Sequence, residues 1–128
     1  FTSNANGSQG ANVSISHRSP TPADNDIVGT LSFDGLDSND DGTTYAQIRT
    51  IATDISNNSE KGEIAFFTRN GNNTSGTLLT NERVRITSTG RVGIGTDNIQ
   101  SLLHLKGTGG NTSGLLFEND HDDSAQIN

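Results

Sequence analysis

The sequence predicts an all-β fold: an elongated, intertwined homotrimer of antiparallel β-meander modules joined by a Gly-rich β-segment. Three observations predict it. The apolar residues are mostly Ile, Leu, Val and Phe, set in runs that alternate with polar residues, the period of a strand. They are too few for a monomer's core. Hydrophobic residues make up 28% of the 128 and aromatics 5%; adding the 15 glycines brings the apolar share to about 40%, below the nearly half of typical globular chains counted the same way. Such a composition with a formal charge of −7 also suits disorder. The alternating runs and the mere two prolines argue instead for copies that pool their apolar faces. The third observation is the stretch from Arg83 to Thr96. Val84 and Ile86 share one side and Arg83 and Arg85 the other, Ser88-Thr89-Gly90 signals a turn, and Val92 and Ile94 then alternate with Gly93 and Gly95. A strand with glycine on one side has only another backbone to bury there, which predicts close approach of chains. In a parallel trimer this places Val92 and Ile94 at or near the axis, with Arg91 outward.

In order, residues 1–26 read as an extended linker or the end of a preceding module, with a strand around 11–16 from Val13-Ser14-Ile15. Ser19-Pro20-Thr21-Pro22 favours extended or turn backbone. Residues 27–106 read as one β-module with its Gly-rich shaft segment. Leu31 and Phe33 mark a strand over 27–36 that ends at the turn pair Asp34-Gly35, and 37–43 form an acidic loop. Ile48, Ile51, Ala52 and Ile55 fit a helix face, yet the Ile and Thr content favours a strand over 44–53. A loop over 57–62 leads to a strand over 63–69, with Ile64 and Phe66 on one side and Ala65 and Phe67 on the other. A polar loop over 70–76 precedes Leu78-Leu79 and a strand over 82–88. These four strands form an antiparallel meander, from which 91–95 leaves the sheet. Leu103 and Leu105 mark a last strand over 102–106.

Residues 107–128 read as the start of a second, similar module. Gly114-Leu115-Leu116-Phe117-Glu118 echoes the run from Gly29 to Asp34, and Ala125-Gln126-Ile127 echoes Ala46-Gln47-Ile48. The chain therefore reads as a fragment of a longer one.

Glu82-Arg83-x-Arg85-Ile86-x-Ser88-x-Gly90-x-Val92-Gly93-Ile94-Gly95-Thr96, followed by Leu102-Leu103-His104-Leu105, resembles a segment common in tail fibres of double-stranded DNA bacteriophages. Gly29 to Gly35, Tyr45 to Ile48 and Gly62 to Phe66 match as well. The family usually has proline where Ile99 stands. The resemblance implies a trimeric fibre segment of the virion tail, of the kind often found upstream of an endosialidase-type self-cleaving chaperone domain, and carries no catalytic residues.

Acidity argues against nucleic acid and anionic membrane as partners, and zero cysteines exclude disulfides and thiolate metal sites. Asp37, Asn39 and Asp41, followed by Gly42, match the first half of a calcium loop. The bidentate Glu of an EF-hand is replaced by Ile48, so the expectation is a solvated acidic loop with calcium as an alternative. Gly90 to Gly95 lacks the third glycine and the helix of a nucleotide-binding loop. His17, His104 and His121 are isolated, and His104 is expected in solvent. Glu60, Glu63 and Glu82 read as loop or strand-edge charges with no acid/base pair. The expectation is a non-enzymatic, cofactor-free structural module of a phage tail fibre, whose partners are its own copies and the neighbouring modules. The alternatives are a host-glycan-binding module using loops 34–43 and 70–77, a glycan-cleaving tailspike fragment, and a cellular surface filament or adhesin.

Overall fold

The computed structural model describes residues 12–71, 79, 81–107 and 115. Their strands are β1 (Asp26–Leu36), β2 (Gly42–Asp54), β3 (Lys61–Thr68), β4 (Glu82–Ile86), β5 (Val92–Ile94) and β6 (Leu103–Leu105). They form one six-stranded sheet in sequence order. All neighbours are antiparallel except β5 and β6, which are parallel.

The meander over β1–β4 is as expected, but three boundaries differ. Asp34-Gly35 does not end β1. Both residues pair with Thr44 and Thr43, and the chain reverses at 37–41. The aspartate there accepts from backbone: Asp37 Oδ1 takes the amides of Asn39 at 2.8 Å and Asp41 at 3.1 Å. The left-handed residue of this turn is Asp40 (φ 62°), not Gly42, which already belongs to β2. Residues 12–16 form no strand. Ile15 instead lies over Gly29, so near that a Cβ on the glycine would sit 2.9 Å from Ile15 Cγ2. Residues 91–95 do not leave the sheet either. Val92 to Ile94 pair with β4 on one side and β6 on the other. The expected second module lies outside the described residues, apart from Leu115.

The β5–β6 connection explains the glycines. Parallel neighbours usually need a crossover of a dozen or more residues. Here residues 95–102 suffice, with no helix. They return directly over Gly93, where a Cβ would meet Ile99 Cδ1 and the Thr96 carbonyl, each at 2.6 Å. Gly95 (φ 75°) lies against the Lys106 carbonyl. The close approach expected of this segment therefore exists within one chain. Backbone bonds close it: Val92 N–H to Leu102 O at 2.8 Å and Lys106 N–H to Ile94 O at 2.9 Å. Gly90 takes the positive φ expected of the preceding turn.

One parallel pair also sets the polarity. Strands β1, β3 and β5 run one way, β2 and β4 the other, and β6 runs with β1. The chain enters β1 at one end of the sheet and leaves β6 at the opposite end. An antiparallel β6 would have returned it to the starting end.

Candidate functional site

The registers sort the side chains into two unlike faces. On one, Leu31, Ile48, Phe66, Val84, Ile94 and Leu105 are successive partners across all six strands. The next row is Gly29, Thr50, Ile64, Ile86, Val92 and Leu103, and a shorter one is Phe33, Ala46 and Thr68. No residue of these rows is charged. Arg83 marks the corner, its Nε 2.9 Å from Thr68 Oγ1. The sequence logic is period-two alternation, unbroken through five pairings. Yet this face is open. Leu31, Phe33, Ile64, Ile94 and Leu103 are between 41% and 51% exposed.

The opposite face carries Thr30, Arg49, Ala65, Arg85, Gly93 and His104 as one row, with Ser32, Gln47 and Phe67 beside it. It is the face the chain covers. Ala65, Phe67 and Leu79 form the small buried core, with Ile51 packed against it. Arg49 is 5% exposed and stacks on Phe67, 3.9 Å from the ring centroid. Its guanidinium donates to Gln47 Oε1 and, at 2.6 Å, to the Leu79 carbonyl. Gln47 Oε1 also accepts the Leu79 amide at 3.1 Å. Arg49 and Gln47 together satisfy both backbone groups of Leu79 and pin it to the sheet. Burial lowers the Arg49 pKa, opposed by the Glu82 charge.

Arg85 organises the other half of this face. It binds Glu82 through Nε at 2.7 Å and Nη2 at 2.6 Å, and Glu63 through Nη1 at 2.6 Å. Its pKa is raised, first by the hydrogen bond to Glu82 and then, against the cost of burial, by the one to Glu63. Glu63 and Glu82 are thus not the loose edge charges expected. Both are largely buried partners of one arginine, a pairing that needs β3 and β4 in register. Glu60 is exposed, as expected. His104, expected in solvent, is half-buried. Its Nδ1 accepts the Gln100 amide at 3.4 Å and lies 3.1 Å from the Asn98 carbonyl.

The residues singled out from sequence separate. Val92 and Ile94 lie on the open apolar face, and Arg91 is exposed at the turn before them. In the calcium candidate, one Asp37 oxygen already caps two amides, while Asn39 and Asp41 are exposed. Among the described residues no group of three or more His, Asp or Glu could hold a metal ion. An open cleft of about 370 Å3 lies between Phe67 with Asn81 to Arg83 and Gly95 to Asp97, and its Glu82 is the one held by Arg85. The expected glycan loop at 70–77 falls largely outside the described residues. Sequence reading found single strands' apolar sides and missed that they form one continuous surface. The missing signal was register, which bulges at Ile27/Gly29, Phe33/Asp34 and Phe66/Phe67 set. Comparison with protein-family models and with curated proteins finds no match for this chain.

Proposed function

We propose that this chain is a structural module of a bacteriophage tail fibre, a trimeric spacer in host attachment exposed on the virion tail. The observation that supports this reading is the strand polarity. A module that takes the chain in at one end and releases it at the other can be strung in series, each copy adding length in one direction. The single parallel pair β5–β6 produces this, and it occupies the very stretch that resembles the fibre segment. The polar side chains fit a mechanical role. Arg49, Gln47, Arg85, Glu63 and Glu82 hold strands and the Leu79 segment to one another. The partners are two further copies and the neighbouring modules.

The test is localisation and length. Antibodies to this chain should decorate a tail fibre in images of intact particles, and in-frame excision of its segment should shorten that fibre. Decoration of the cell surface alone would replace the reading with a cellular filament. A glycan array separates it from a receptor-binding module: specific binding abolished by changing residues 34–43 would displace the spacer.

A further inference from the structure

We infer that the open apolar face is the surface through which copies of this chain meet, centred on Phe66 and Val84. The number of copies rests on the trimeric reading above; the choice of face does not. Charge names the occupant. The chain carries −7, so identical copies repel wherever carboxylates face one another. The three rows of this face contain no charge, and two of them cross the whole sheet. Here two copies meet without opposing charges, and each removes from water the apolar surface the other leaves open.

Six strands about 4.8 Å apart and two full rows of side chains span a footprint of roughly 400 Å2. A closed ring of three covers this footprint on every copy and leaves none of the three faces open to water. In a closed ring of three sheets, the strands nearest the axis are the middle ones. The row from Leu31 to Leu105 has Phe66 on β3 and Val84 on β4 at its middle. This moves the axis two strands inward of Leu105 and one inward of Val92 and Ile94, which become flanking contacts. Ile15 fills the hollow at Gly29, where the second row lacks a side chain, and so extends the surface at the β1 side.

The experiment uses the full chain, which has no cysteine to interfere. Light scattering over a concentration series comes first, for the wild type, Phe66→Asp and Arg91→Asp. We expect Phe66→Asp to raise the concentration needed for assembly roughly 100-fold or more, because a carboxylate is driven into an apolar contact. Arg91→Asp should change it little. Because Phe66→Asp can also prevent folding, single-cysteine variants give an independent reading. Under mild oxidation Val84→Cys should link two copies, and Arg91→Cys should not. A wild type that stays monomeric overturns both this inference and the trimeric reading. A wild type that assembles while Phe66→Asp assembles equally, or while Val84→Cys fails to link, overturns the chosen face and leaves the trimeric spacer standing.

Discussion

The two faces of this sheet share every backbone hydrogen bond and nothing else. One is apolar, uncharged and half-exposed. The other buries an arginine, a glutamine and an ion-pair triad. The difference runs against the usual expectation that the apolar side is the inside. What decides the inside of a single chain is where its connections travel. Leu79 from the β3–β4 connection lies on the polar face, and Ile99 from the β5–β6 connection covers Gly93 there. Among the described residues outside the strands, Ile15 reaches the apolar face, at its margin. Polar groups under cover must be paired, and here they are.

The strongest test of that contrast is Arg85→Ala. It leaves Glu63 and Glu82 facing each other, largely buried and without the cation that binds both, and breaking such a pair costs about 3–5 kcal/mol. Urea denaturation should show this loss at every protein concentration, because the contact is internal to one chain. A loss that vanished at low concentration would mean the polar face is the interface. Arg91→Ala, at an exposed charge, should stay within about 0.5 kcal/mol of wild type.

Next is Gly93→Ala. Its Cβ meets both Ile99 and the Thr96 carbonyl at 2.6 Å, and overpacking of this kind costs about 1–3 kcal/mol. Adding Ile99→Ala should recover only part of the loss, since the carbonyl cannot be trimmed away. Full recovery in thermal denaturation would show that side-chain crowding alone dictates the glycine.

Asp37→Ala lies outside both faces and should cost about 1 kcal/mol through the two lost amide bonds. The cost should be equal in calcium and in chelator. A cost that appears only with calcium present would revive the metal site.

The smallest effect belongs to Asp54, at the β2–β3 turn. Lys61, 2.5 Å away, holds its carboxyl well below the usual range, helped by the Ser56 amide. A depressed carboxyl contributes stability above its unfolded value near about 4 and loses it as pH falls through the folded value. Amide exchange at this turn should therefore rise only in acid, below about pH 4. Lys61→Gln should carry the Asp54 titration back toward the ordinary range. The Lys61 side chain is 52% exposed to solvent, so global stability should scarcely respond.

Alternation by itself determined the all-β class, the strands near 27–36, 44–53, 63–69 and 102–106, and which side chains of each strand share a side. That follows because the period of a strand is two whatever the strand pairs with. The positive φ at Gly90 was legible for the same local reason. Glycine at 93 and 95 announced a close backbone approach, but not that the approaching backbone is the chain's own 95–106. The place of β5 inside the sheet, the grouping of Glu63 and Glu82 around Arg85, the seat of Leu79 on Arg49 and Gln47, and the merging of six apolar sides into one surface were decided by register. Register depends on bulges at Phe33/Asp34 and Phe66/Phe67 and on the route of each connection. A one-residue slip exchanges the faces of a strand while leaving its local pattern unchanged. Tertiary structure alone therefore chose which face the chain covers, and so which it leaves open.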